Sequence, residues 1–370
     1  MYASVFLHTI NCMIGSGILA LPYTANLLGY GLYIFFCVAL AIWAFVSLAV
    51  LFDCTSEYDG NLEDLCRHAF GKPGFIVMSF LLMFENIGSI CSYLFVILNM
   101  CKTVIPYFDA RWSLAAIILI VLFPISIPKS IKGLGIFSFA AIIFINGFVS
   151  YVVVNLGIHG VSPNATSLTT NVDAYDIPHS MSILMFAYVC HPTAITLAKY
   201  GSDRRKTLTA FMVAFIICTI IYLIMGICGY AAFGTETPDN MLQAYNSEKY
   251  GVVGKYVVPI LIALSIMFTI PALLIPLKKI IANIDCTYNQ WLSSLLGYVL
   301  MYLIVIFVPK FENILSIVGA TAASSIMFIC SPCLYLKLVN KQSCVAWFLL
   351  VIGIVATVIC ITTVVYGLVV

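Results

Sequence analysis

Charge is what this sequence has least of. Asp, Glu, Lys and Arg make up 9% of its 370 residues, against 63% hydrophobic ones. With a mean hydropathy of +1.10, the chain has too few polar side chains to cover a water-facing surface, so it reads as a polytopic membrane protein. Charge of one sign is also missing: 17 basic against 15 acidic side chains give no sign of a nucleic-acid partner. No basic stretch and no small-residue cleavage site precede the first apolar run, so no signal peptide is read. Paired carboxylates within one loop, a phosphate-cradling Gly-rich loop outside the apolar runs and a His/Cys metal set are all lacking, so the chain is not expected to be an enzyme or to hold a cofactor. Cysteine is plentiful, at 14 residues, but it lies mostly inside apolar runs or at their ends. Cys330-Ser331-Pro332-Cys333 has the CxxC spacing without His or acidic partners, and it reads as packing rather than a metal or redox centre.

What is there is a series of apolar runs. A helix needs about 20 apolar residues to cross a bilayer, and eleven segments qualify: 4–28, 31–52, 75–101, 112–128, 133–157, 178–198, 208–233, 254–277, 288–308, 313–336 and 344–369. No soluble-looking stretch separates them, so one domain is expected, with 1–157 and 178–338 as its two repeats and 344–369 as an extra helix. The connection 53–74 carries an amphipathic helix over 61–71 that ends at Gly71, with Pro73 beyond.

Two runs are interrupted. In the first, Gly15, Ser16 and Gly17 sit near the middle and Pro22 follows. Gly costs about 1 kcal/mol relative to Ala inside a helix, and Pro removes a backbone donor. In the sixth, His191-Pro192 breaks the ladder five spans later. Broken spanning helices persist where they are packed in protein or line a cavity. Interruptions at matching places in two halves point to inverted repeats with a transport site between them. The first break is expected to free the amides of Gly15, Ser16 and Gly17 at a helix start, an anion site to which the Ser16 hydroxyl adds. The second is expected to free carbonyls around Ala187 to Cys190, which accept from an ammonium group. Facing each other, the two describe a site for a zwitterionic α-amino acid lined by Ile14, Gly15, Ser16, Gly17, Ala187, Tyr188, Cys190 and His191. His191 either titrates near neutral pH or steadies the broken backbone by donating to a freed carbonyl; the second role is preferred.

Basic residues set the expected orientation. With a cytosolic N-terminus, the inner ends carry Arg67, Lys72, Lys129, Lys132, Lys199, Arg204, Arg205, Lys206, Lys278, Lys279, Lys337 and Lys341, and the outer ones Lys102, Arg111, Lys249, Lys255 and Lys310: twelve against five. The C-terminus then lies outside. So does the 158–177 loop, where Asn164-Ala165-Thr166 is a glycosylation sequon.

Five strings, in order, carry a resemblance: Asn11 to Tyr23, Asn86 to Phe95, Phe186 to Pro192, Thr269 to Lys279 and Phe311 to Ala320. In them the chain resembles the sodium-coupled neutral amino acid transporters (system A and system N type) of the amino acid/auxin permease family, over nearly its whole length. The resemblance implies an all-α leucine-transporter-type fold: eleven transmembrane helices in a 5+5 inverted repeat plus one extra helix, with helices 1 and 6 broken, working by alternating access. It implies sodium as coupling ion, with Asn11 and Thr269 at the sodium site. Ser265, one turn from Thr269, offers a second oxygen, although a membrane Thr often bonds back to a carbonyl one turn earlier instead.

Three departures stand against it. Glu85 lies where the family usually has Gln; an intramembrane carboxyl is costly, and this one is either a proton carrier, a counter-charge for a cationic substrate, or a protonated group bonded to Asn86, Ser89 or a neighbouring helix. The loops 158–177 and 234–253 lack cysteine, so the family's extracellular disulfide cannot form there. The N-terminal tail is nearly missing. The expected function is sodium-driven transport of neutral amino acids, the alternatives being proton coupling through Glu85 or His191, or an amino acid sensor without net flux. The expected partners are the amino acid and the bilayer, the chain is expected to be a monomer, and the plasma membrane is favoured over vacuole or lysosome.

Overall fold

The computed structural model describes residues 2–56, 60–127, 134–165, 172–198, 203–284, 289–308 and 310–369. Lys129, Lys132, Lys199 and Thr166 of the sequon lie outside the described residues. All regular structure among the described residues is helical. Eight of those helices are long and apolar enough to cross a bilayer, and Ala110–Ile125 and Trp291–Phe307 are shorter apolar ones.

Glycines with positive φ divide the longest of them. Ser16–Asp53 spans 38 residues, roughly 57 Å at 1.5 Å per residue, nearly twice a hydrocarbon core. Gly29, at φ +70°, splits it into the end of the first span and the whole of the second. Gly71, at φ +71°, does the same in Leu62–Val104, separating the amphipathic 62–70 from the third span. Both positions need a conformation that side-chain-bearing residues avoid. Within 62–70, Leu62, Leu65, Cys66 and Ala69 turn inward onto Leu51, Ile195 and Leu334, while Arg67 and His68 face out. With these divisions the eleven spans take their expected order.

The spans form two groups joined by two arms. Spans one, two, six and seven pack together: the Tyr33 hydroxyl donates to the Tyr222 carbonyl at 2.7 Å, and Gly226 and Gly229 lie against Tyr33 and Pro22. Spans three, four, eight and nine form the second group, in which Ser126 Oγ meets the Tyr298 hydroxyl at 2.6 Å. Span five packs on seven and eight, and span ten on three and six, so the arms hold equivalent places. Outward-facing positions carry apolar side chains such as Ile120 and Phe307, 74% and 79% exposed, as lipid contact requires.

The tenth span, Phe311–Leu338, is not a regular rod. Residues 319–323 and 325–330 wind as wider π turns, and Gly319 lies directly on the Ser182 carbonyl of span six. A Cβ there would collide with that oxygen, whereas one on Gly157 of span five would meet nothing within 4 Å. Gly319→Ala is therefore expected to destabilise by about 1–3 kcal/mol, as overpacking does, and Gly157→Ala to be neutral or slightly stabilising. Thermal midpoints of the purified variants in detergent check the contrast; equal midpoints would contradict it.

Candidate substrate site between the broken spans

The first span runs as Tyr2–Met13, leaves the helical path at Ile14 and Gly15, and resumes as a tight turn, Ser16–Ala20. The Gly15 amide is already engaged, donating to the Met13 carbonyl at 3.0 Å. Ser16 and Gly17 open the second half-helix, where the first amides have no acceptor within the helix. Absence of a side chain is essential at this break. A Cβ on Gly15 would lie 2.6 Å from the Tyr93 hydroxyl of span three, and one on Gly17 3.3 Å from the Ala187 Cβ of span six. Ile14 is buried beside them. Ser16 Oγ sits 2.6 Å from Ser92 Oγ, and Ser92 spends its own proton on the Ser89 carbonyl at 2.7 Å. Ser16 is therefore the donor of that pair, and its hydroxyl proton goes to span three.

The sixth span stops after Asp176–Tyr188, passes through Val189 in extended backbone, and resumes as His191–Ala198. Pro192 stands in the first turn of that second half, where a missing N–H costs nothing. The Ala187 carbonyl accepts from the Tyr222 hydroxyl at 2.8 Å, and the Met13 carbonyl from the same hydroxyl at 2.6 Å. A phenol has one proton, so the two broken ends share it. The Cys190 carbonyl takes the Ala194 amide at 2.9 Å. This leaves the Tyr188 and Val189 carbonyls without a donor among the described residues. The Tyr188 hydroxyl donates to Thr219 at 3.2 Å, with the Cys37 thiol at 3.1 Å, and its ring packs on Tyr222. Cys190 is buried, and so is His191, whose ring lies near the Ala44 backbone; neither imidazole nitrogen makes a hydrogen bond, so the expected donation to a freed carbonyl is not made.

The expected ion and proton groups sit on three spans: Asn11 on the first, Glu85 on the third, and Ser265 and Thr269 on the eighth, where they face span five. Thr269 Oγ1 donates to the Ser265 carbonyl at 3.0 Å, and Ser265 Oγ to the Ala141 carbonyl of span five at 3.3 Å. A hydroxyl that donates keeps its lone pairs, so neither bond removes the oxygen as a cation ligand. Asn11 is half-buried one turn before Gly15. Glu85 accepts from Ser89 Oγ at 3.5 Å, and its charge acts on the Cys12 thiol and the Tyr93 hydroxyl. Cys12 in turn meets Thr193 Oγ1 at 3.3 Å, tying the half of span one before its break to the half of span six after its break.

Exposure divides at the breaks. Asn11, Cys12, Gly15, Glu85, Thr193 and Thr269 are half-buried, whereas Ser16, Ile18 to Leu21 and Ile183 to Met185 are at most 1% exposed. On the side where the first span starts, the near face, these polar groups thus keep some exposure, while on the opposite, far face the halves of spans one and six beyond the breaks are closely packed. Tyr222 carried no signal in the sequence, being one aromatic in an apolar run. Ser92 and Tyr93 lay inside a quoted string but had no assigned role. Gly15→Ala is expected to cut substrate binding and uptake at least tenfold, and Tyr93→Phe, which removes the colliding oxygen, to restore part of it; binding of a labelled amino acid to both variants checks this. Tyr222→Phe leaves the Ala187 carbonyl without its donor and the Met13 carbonyl with the Gly15 amide alone, expected to cost about 1–3 kcal/mol in thermal stability.

The family described as transmembrane amino acid transporter protein matches residues 2–370. The chain is 26% identical to a Danio rerio sodium-coupled neutral amino acid symporter 2, over 90% of its own length and 74% of the relative's. It is likewise 26% identical to a Homo sapiens sodium-coupled neutral amino acid transporter 4, over 90% of its length and 77% of that protein's. In fold it is similar to the crystal structure of an Eremococcus coleocola manganese transporter, with a TM-score of 0.65 at 12% identity over 99% of this chain and 85% of that one. Eleven helices in a leucine-transporter-type arrangement, two of them broken, together with a family match along the whole chain, make this protein a member of the transmembrane amino acid transporter family.

Proposed function

We propose that the protein carries neutral α-amino acids across its membrane by alternating access, driven by sodium. The observation that carries this reading is the apposition of the two breaks: the open amides of Ser16 and Gly17 on one side, the open carbonyls of Tyr188 and Val189 on the other, with Gly17 packed on Ala187. Amides at a helix start suit a carboxylate, and carbonyls suit an ammonium. Ile14, Gly15, Ser16, Gly17, Ala187, Tyr188, Cys190 and His191 make the substrate site in this reading, the first four and Ala187 through backbone and close packing. Asn11, Ser265 and Thr269 supply neutral oxygens for sodium, a hard cation that takes them well. The names of the relatives support the choice of ion. Residues 1–157 and 178–338 act as the two repeats, with 344–369 outside them; the working unit is a monomer in the plasma membrane, its N-terminus cytosolic.

A second reading, proton coupling, is favoured by one specific observation. Glu85 is a half-buried carboxyl on span three whose recorded hydrogen bond is from Ser89 Oγ at 3.5 Å, with no basic partner among the described residues.

Uptake of labelled neutral amino acids into proteoliposomes separates the two. Under a sodium gradient, Thr269→Ala is expected to reduce uptake about tenfold or more, the equivalent of a ligand worth roughly 1.4 kcal/mol. Glu85→Gln is expected to keep sodium-driven uptake. Uptake driven by a proton gradient alone and abolished in Glu85→Gln would replace sodium with protons. Binding without flux under either gradient would make the protein a sensor.

A further inference from the structure

Far-face closure has its own chemistry, remote from the substrate groups. Glu312, in the first turn of span ten, is 4% exposed, and His179, in the first turn of span six, 2%. One Glu312 oxygen lies 3.3 Å from Lys310 Nζ; the other lies 3.9 Å from His179 Nε2. The Tyr23 hydroxyl, from the far half of span one, approaches the same carboxylate. His179 is held from behind, its Nδ1 3.2 Å from the Tyr175 hydroxyl with the two rings stacked at 5.1 Å. Asp239, from the loop between spans seven and eight, accepts the Phe311 and Glu312 amides at 2.7 and 3.4 Å. Burial, then the Glu312 charge, raises the Asp239 carboxyl above the ordinary carboxylate range. Span one, span six, span ten and the loop therefore converge on one carboxylate.

The His179–Glu312 contact is incomplete. Their facing atoms are buried and have no hydrogen-bond partner. A separation of 3.9 Å is too long for a direct bond, and too short for a bridging water, which needs roughly 4.5–5.5 Å. A relative shift of about 1 Å between spans six and ten turns this gap into a charge-assisted hydrogen bond, and a shift the other way parts the two. Span ten has the means for it: π turns below Glu312, and Gly319 seated directly on span six.

We propose that Glu312 is the centre of a far-face brace that joins the far ends of spans one, six and ten, and that parting it opens the substrate site to that face. The proposal rests on the alternating-access reading. Glu312 and His179 act as positioning residues, since neither reaches the site. A carboxylate retained only for packing predicts something different: its replacement by a neutral isostere leaves far-face access unchanged.

Leu21, 0% exposed just beyond the first break, is the place to measure that access. A chain carrying Leu21→Cys is reconstituted, exposed to a membrane-impermeant charged thiol reagent on the far side, and scored at position 21 by peptide mass spectrometry, so that other thiols do not interfere. Glu312→Gln is expected to raise the labelling rate at least tenfold, and Lys310→Gln severalfold. Lys310 is 64% exposed, so its variant carries the test if Glu312→Gln fails to fold. Parental labelling rates in variants that still bind labelled amino acid would overturn the brace. If the parent's own rate never responds to substrate or sodium, alternating access fails with it; if it does respond while the variants match it, the brace alone fails.

Discussion

Unpaired peptide groups have no water to turn to inside a bilayer, and the arrangement of this protein follows from where it leaves them. Most of the described spans run through the bilayer as continuous helix. The first and sixth do not, and the rest of the chain is disposed to make those two exceptions tolerable. Tyr222 divides one proton between the Met13 and Ala187 carbonyls, Ser16 is tied to span three through Ser92, and the Gly15 amide folds back on Met13. After these are accounted for, two amides on one side and two carbonyls on the other remain, and they are the groups a small zwitterion can use.

Close approach makes this compensation work. Gly15 against Tyr93, Gly17 against Ala187, Gly88 against Val318 and Gly319 against Ser182 are points where a methyl group would collide with a neighbouring span. They lie where span one meets three and six, and where span ten meets three and six. In a membrane, where lipid competes equally for apolar surface, helices gain most from contacts that bring backbones together. Gly15 against Tyr93 joins the two groups of spans, and Gly88 and Gly319 seat the arm formed by span ten on one member of each group.

Much of this was visible in the linear chain. Eleven apolar runs, the amphipathic 62–70 segment and both interruptions are local features: each is dictated by a run length, a Gly or a Pro, and each appears where the residues put it. The division of Ser16–Asp53 at Gly29 follows from the same arithmetic, since no bilayer accommodates a 38-residue straight helix. What escaped was pairing between distant segments. Tyr222 is 209 residues from Met13 and 35 from Ala187, and nothing in its own span distinguishes it from a lipid-facing aromatic. Glu312 and His179, 133 positions apart, each looked like a polar residue at a span end.

The sequence by itself determined the solvent in which this protein lives, the number of crossings and the two places where a crossing breaks, because hydrophobic length and backbone propensity are properties of short segments. Tertiary structure alone decided which freed peptide groups stay free, that Ser16 spends its proton on span three, and that the far halves of spans one and six close tightly around the breaks. Those outcomes depend on which donor reaches which acceptor, and a proton given to one carbonyl is unavailable to another. Such competition is settled only when spans far apart in the chain are brought within hydrogen-bond distance.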